Sequence, residues 1–142
     1  MPDLHGWITQ QIDKTAHQAE RAAELQALEW SCPSTGVVDF GDDLIATGDR
    51  DVAYHIALND PAAVLRRCAA DRKILAEHAP QPDGSSSPDI QQCRTCSSSG
   101  DVDDWYQYLV PYPCPTVLAV AEGYGFDQPE PALRGPNREG TP

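Results

Sequence analysis

Three cysteines in the second half of the chain have the spacing expected of metal ligands. Cys93 and Cys96 are separated only by Arg94 and Thr95, which allows both sulfur atoms of one tight turn to face a single ion. Cys114 follows at a distance along the chain that is usual for the second half of a structural zinc site. No cysteine lies three positions from Cys114, so the fourth ligand must come from elsewhere.

His78 and Cys68 compete for the fourth ligand position. His78 lies at the predicted C-terminal end of a helix, where the chain enters the loop that carries Cys93. Cys68 lies about ten residues earlier on the same helix, about 15 Å away along its axis, so the two cannot bind one tetrahedral ion. Cys68 also belongs to the apolar stripe of that helix, where free cysteine is a common small core residue. We therefore predict a zinc site of His78, Cys93, Cys96 and Cys114, with Cys32 as a bystander.

The spacing of apolar residues predicts an α+β fold that is mainly helical. We expect a long N-terminal helix, a small β-hairpin, a pair of helices, a loop stapled by zinc and a short C-terminal helix. The predicted bounds are 2–30 for the first helix, 37–40 and 44–46 for the hairpin strands, 51–58 and 61–78 for the helix pair, 79–104 for the loop and 116–121 for the last helix. Asp51 and Asp60 are the expected caps of the helix pair. A structureless loop of this length must be tied down, and a bound ion would do so.

Composition limits the possible partners and locations. The chain has 142 residues and a formal net charge of -12. Because nucleic-acid affinity comes largely from basic side chains, we expect no nucleic-acid partner, and a basic protein partner is the better expectation. No apolar run is long enough to span a membrane, and five cysteines without an export signal favour free thiols in the cytoplasm. We expect one domain over 1–126 and a flexible tail over 127–142. The oligomeric state cannot be read from the sequence.

The sequence favours a binding role over catalysis. It has no phosphate-binding loop, no His-Glu-x-x-His and no Gly-x-Ser-x-Gly, and a site closed by four protein ligands has no open position for water. We therefore expect no enzyme activity and a zinc-stabilised protein-interaction or regulatory module. Aromatic residues near the site form either its contact patch or the core beneath the loop: Trp105, Tyr106, Tyr108 and Tyr112.

An acidic accessory protein that mimics nucleic acid and binds a basic partner is the alternative function. Acidic residues gather around the predicted hairpin and in the later loop, and such clusters steer association with a basic protein. These residues are Asp39, Asp42, Asp43, Asp49, Asp51, Asp101, Asp103 and Asp104.

A series of short motifs lies within roughly 30–126. They are His55-Ile56-Ala57, Asp60-Pro61, Val64-Leu65-Arg66, Lys73-Ile74-Leu75, His78, the Cys93 and Cys96 loop, Pro113-Cys114-Pro115-Thr116 and Leu118. Together these motifs resemble a family of small uncharacterised proteins from actinobacteria and their phages. The family supplies no activity. The resemblance supports His78, Cys93, Cys96 and Cys114 as the ligand set and leaves the function open.

Replacement of a ligand should release the loop from the helices. In Cys93→Ser or Cys114→Ser, we expect the region 79–114 to become mobile, because the ion no longer pins the loop. Limited proteolysis measures this as faster cleavage within that region. Unchanged protease resistance would count against a metal staple.

Overall fold

A computed structural model describes residues 3–83, 90–99 and 107–127 of the chain. The helices within these ranges are α1 Leu4–Leu25, α2 Arg50–Leu58, α3 Pro61–Glu77 and α4 Pro115–Gly123. The strands are β1 Ser31–Ser34, β2 Val37–Asp39, β3 Leu44–Ala46, β4 Pro80–Pro82, β5 Gln91–Cys93, β6 Ser98–Ser99 and β7 Gln107–Tyr108. The predicted mainly helical α+β class is confirmed. None of the described helices combines the length and apolar character needed to cross a membrane.

The core lies where α1 packs against α3 and α4 closes one end of the pair. Ile8 and Ile12 of α1 are completely buried, as the helical spacing of its apolar residues requires. α3 contributes Leu75 to the same cluster, and α4 contributes Val117 and Ala121. Because α4 contacts both longer helices, its position fixes the position of the residue that precedes it, Cys114.

α1 is shorter than its sequence predicts. The predicted end near Trp30 is wrong, because the helix stops at Leu25 and Gln26 adopts an extended conformation. The N–H of Ala27 then donates a hydrogen bond to the carbonyl oxygen of Phe40 at 2.6 Å. The segment after the helix therefore satisfies its backbone groups next to the small sheet, a tertiary contact that local helical periodicity does not reveal.

The predicted hairpin is part of a three-stranded antiparallel sheet with the order β1-β2-β3. The sequence missed β1 because Ser31-Cys32-Pro33-Ser34 has no alternation of apolar residues and contains a proline. Proline is tolerated there because β1 is an edge strand of the sheet. Val38 in the central strand is fully buried, and α2 packs against β1 and β2.

Aspartates cap the two helices that follow the sheet. α2 is capped by Asp49 and not by the predicted Asp51, since an oxygen of Asp49 accepts hydrogen bonds from the backbone N–H groups of Asp51 and Val52. The prediction for Asp60 is confirmed, because one of its oxygens accepts from the N–H of Ala63 at 2.6 Å. Its other oxygen accepts from the N–H of Trp30 at 3.3 Å, so Asp60 also ties α3 to the start of the sheet.

The long region predicted as structureless, 79–104, contains paired strands. β4 pairs with β5, with Pro80 opposite Cys93, and β6 pairs with β7. The sequence offered no apolar alternation here, because these strands are short and rich in proline, serine and glutamine. α4 begins where Cys114-Pro115 predicts it and continues to Gly123, beyond the predicted Ala121. Residues 84–89, 100–106 and 128–142, which include most of the predicted tail, lie outside the described residues.

Loss of the Asp60 side chain should destabilise the fold. In Asp60→Ala, the partly buried N–H groups of Ala63 and Trp30 lose their acceptor, and we expect a loss of about 2 kcal/mol in the free energy of unfolding. Urea unfolding followed by circular dichroism measures it. The exposed Asp42→Ala serves as control and should change the value by less than about 0.5 kcal/mol. An equal effect of the two variants would contradict the role given to Asp60.

Candidate metal centre

Four side chains meet at one end of the helical core: His78, Cys93, Cys96 and Cys114. Their potential ligand atoms all lie within 4.8 Å of one another. Nδ1 of His78 is 3.4 Å from Sγ of Cys93, 3.4 Å from Sγ of Cys96 and 3.5 Å from Sγ of Cys114. The structure thus brings together the four residues that the sequence predicts as ligands.

These distances match a tetrahedral zinc site. Zinc binds sulfur at about 2.3 Å and histidine nitrogen at about 2.0 to 2.1 Å, so tetrahedral angles require nitrogen and sulfur ligands about 3.5 Å apart. The three nitrogen-to-sulfur distances agree with that value. The donor atoms are also of the chemical kind that zinc prefers, since thiolate and imidazole together select this ion over hard cations. In donor type and in these three distances, the four residues are compatible with one zinc ion.

The end of α3 positions the nitrogen donor. His78 is the C-cap residue of α3, and its N–H still donates to the carbonyl oxygen of Ile74 at 2.9 Å. The backbone of His78 is therefore fixed by the helix. With Nδ1 directed at the three sulfur atoms, the imidazole must be neutral to act as a ligand.

Backbone pairing positions the first two sulfur donors. Cys93 ends β5, and its N–H donates to the carbonyl oxygen of Val110 at 2.8 Å. The next N–H, of Arg94, donates to the carbonyl oxygen of Ala79 at 3.0 Å, which anchors the turn beside the end of α3. The hydroxyl of Thr95 donates to the carbonyl oxygen of Glu77 and reinforces this contact. The turn thus presents Cys93 and Cys96 to the residue that follows α3.

The N-terminus of α4 positions the third sulfur donor. Cys114 is the N-cap residue, and Pro115 follows at the first helical position. Burial raises the pKa of the Cys114 thiol. Hydrogen bonds from the backbone N–H groups of Val117 and Thr116 and from the thiols of Cys93 and Cys96 together lower it by more, so the net shift is downward. The helix start therefore favours the thiolate, which is the form that binds a metal ion.

The thiol of Cys96 resists ionisation. Desolvation by burial, followed by the neighbouring Cys93 and Cys114 sulfurs, raises the pKa of Cys96 to about 12. Three thiolates this close repel one another, and a divalent cation removes that repulsion by replacing the thiol protons. The cluster is therefore compatible with a bound metal cation.

The other cysteines lie away from this cluster. Cys68 is buried in the core face of α3, as predicted, and the hydroxyl of Tyr124 lies 4.0 Å from its sulfur. Cys32 lies in β1, where its thiol donates to the carbonyl oxygen of Ser34 at 3.3 Å. Neither residue joins the group of potential ligands found among the described residues. The alternative of Cys68 as fourth ligand is therefore wrong.

The predicted aromatic contact patch is only partly described. Tyr112 is half-buried and packs against the core cluster, so this side chain belongs to the core and not to an exposed contact patch. Desolvation raises the pKa of its hydroxyl to about 12, with smaller contributions from Asp3 and from Cys114 and Cys93. Trp105 and Tyr106 lie outside the described residues, as does the side chain of Tyr108.

The fold and the cluster define a small α+β protein with a candidate metal centre of three cysteines and one histidine. The model of the DUF6221 family, a family of unknown function, matches residues 1–124, and the chain belongs to that family. The expected membership of a family without an assigned function is confirmed. No curated protein and no solved structure matches the chain.

Cobalt(II), which binds zinc sites and absorbs visible light, should report this geometry. We expect one cobalt ion per chain, with the absorption of a tetrahedral thiolate site. Loss of a residue that only hydrogen-bonds to a metal ligand weakens metal binding roughly 10- to 100-fold. Because His78 is itself a ligand, His78→Ala should weaken cobalt binding by more than this. Spectrophotometric titration measures both. Cys32→Ser is the matched control and should leave the spectrum unchanged, whereas an octahedral spectrum would contradict the assignment.

Proposed function

We propose that the chain is a zinc-stabilised, non-catalytic module that binds a protein partner. The observation that carries the metal part of this proposal is the equal spacing of three sulfur atoms around Nδ1 of His78. The DUF6221 family supplies no activity, so the functional argument rests on the site itself.

A structural role suits the zinc ion better than a catalytic one. Four protein donors complete a tetrahedron and leave no position at which water or a substrate could bind. Two of the donors, Cys93 and Cys114, are completely buried. Two cavities of about 510 Å³ each lie along the helices, and none of the four ligands lines them. The site therefore has the features of a staple.

The ion would join parts of the chain that have little apolar surface of their own. It would connect the end of α3, the turn after β5 and the start of α4. Zinc binding at structural sites contributes on the order of 10 kcal/mol to folding. The short strands of this region contain proline, glutamine and serine, so apolar burial cannot provide comparable stabilisation.

A reducing compartment suits this chemistry, and we place the protein in the cytoplasm. Thiols that bind zinc must stay reduced, and the cytosol keeps them so. We also propose the actinobacterial or phage origin that the sequence resemblance implies.

Protein binding is supported by apolar side chains that the core leaves uncovered. Leu25 and Leu44 are 70% and 67% exposed, and Tyr54 and Leu58 of α2 are each 58% exposed. Exposed apolar residues that occur together mark interaction surfaces more often than single ones do. They occur around the small sheet and α2, away from the candidate metal centre.

A nucleic-acid mimic is the second candidate function. The observation that favours it is the exposure of Asp42, Asp43, Asp49 and Asp51 around the small sheet. Such a surface would attract a basic nucleic-acid-binding protein. Both candidates thus require a protein partner. They differ in the surface of this chain that the partner would recognise, which is apolar in the first and acidic in the second.

Metal analysis of the purified chain tests the proposed scaffold. Elemental mass spectrometry of freshly purified, tag-free protein should find one zinc ion per chain. Removal of zinc by a strong chelator should lower the melting temperature, because the binding energy of the ion is part of the folding energy. Cys32→Ser is the control and should retain the full zinc content. Metal-free protein with five freely titrating thiols would refute the scaffold.

A further inference from the structure

The outer edge of β3 is not paired within the part of the chain that the structure describes. β3 hydrogen-bonds with β2 on one side, and β1 lies at the opposite edge of the sheet. α2 packs against β1 and β2, so it covers the other part of the sheet. All three residues of β3 are exposed. An open strand edge of this kind is a template for another strand unless the protein blocks it.

The register shows which backbone groups of β3 face outward. The N–H of Phe40 donates to the carbonyl oxygen of Asp43, and the N–H of Thr47 donates to that of Gly36. Hydrogen-bonded and non-bonded pairs alternate along an antiparallel ladder. The pair of Val38 and Ile45 is therefore also a hydrogen-bonded one, and the backbone N–H and carbonyl groups of Ile45 point toward β2. The N–H and carbonyl groups of Leu44 and Ala46 therefore point away from the sheet, spaced to receive a further strand.

Apolar side chains flank this edge on both faces of the sheet. Leu44 is 67% exposed on one face, and Ile45 is 52% exposed on the other, beside the buried Val38. Leu25 lies next to Gln26, whose amide donates to the carboxylate of Asp43 at 3.0 Å. A third exposed apolar residue thus lies near the turn that leads into β3. β3 has neither a lysine nor a proline, the usual devices that block strand edges.

The charges around β3 favour one kind of strand. Residues 25–49 contain no lysine or arginine, whereas Glu29, Asp39, Asp42, Asp43 and Asp49 are acidic. The side-chain hydrogen bonds described for Asp39, Asp43 and Asp49 come from neutral amide groups, so they do not compensate the charge. A basic strand would therefore be attracted. A second copy of this chain would bring a second net charge of -12 to the same edge and be repelled.

We propose that the outer edge of β3 binds an extended, basic segment of a partner protein as a fourth strand of the sheet. The backbone groups of Leu44 and Ala46 would form the ladder, and the acidic residues before β3 would select lysine or arginine in the segment. Apolar residues of the segment would cover Leu44 and Ile45. This inference rests on the proposed role as a protein-binding module and names its surface and the chemistry of its partner.

A displayed random dodecamer peptide library, selected on the purified full chain, provides the probe. We expect the enriched peptides to combine basic with apolar residues, and one of them is then synthesised with a fluorescent label. Its affinity is measured by fluorescence anisotropy at low and high salt. Ala46→Pro removes an outward N–H, leaves the inner ladder of β3 intact and should weaken binding about tenfold or more. The control Ala46→Val keeps the N–H group and should bind like the original chain.

A charge variant tests the surface without touching the strand. Asp42 is exposed and has no described side-chain hydrogen bond, so Asp42→Lys should fold normally. We expect it to bind the peptide about threefold to fivefold more weakly and with a smaller dependence on salt.

Three results would overturn the inference. They are enriched peptides that are acidic, unchanged affinity in both Ala46→Pro and Asp42→Lys, and a dimer of the chain that Ala46→Pro dissociates, since the occupant would then be a second copy. The zinc content and the melting temperature are separate readouts. A zinc-containing chain with unaltered peptide binding in both variants would refute this surface alone, whereas a metal-free chain would refute the scaffold.

Discussion

The convergence of four donor atoms on one point is the constraint that organises this protein. His78 ends α3, Cys93 ends β5 and Cys114 precedes α4, so the position of each element is defined by the others through this point. The surrounding strands are too short and too polar to determine that arrangement by burial. The two long helices and α4 pack by their apolar faces, whereas the short strands between α3 and α4 have little apolar surface of their own.

Backbone chemistry prepares the site before any ion binds. The start of α4 directs N–H groups toward the Cys114 sulfur, while the turn after β5 is held by hydrogen bonds to Ala79 and Glu77 beside the end of α3. Such prior positioning reduces the conformational entropy lost on metal binding.

The small sheet and α2 form the other end of the molecule and have a different character. Asp60 connects this end to α3 by accepting from both Ala63 and Trp30, so the sheet is attached firmly although its own core is little more than Val38 and Ala53. The apolar side chains of β3 are exposed in an acidic environment, and within the described residues the outer edge of this strand has no partner. The two ends therefore differ in character: four potential metal ligands meet at one, and exposed apolar and acidic residues lie at the other.

The sequence by itself determined the helices, two strands of the sheet and the identity of the four clustered residues. Apolar residues at helical spacing, the Asp60-Pro61 and Cys114-Pro115 helix starts and the short separation of Cys93 and Cys96 are local signals, and local physical chemistry decides them. The tertiary structure alone decided the end of α1 at Leu25, the strand β1 and the pairing of β4 with β5. Each of these depends on contacts between residues far apart in the chain, where a polar or proline-containing segment gains its structure from a partner strand and leaves no periodic pattern of its own.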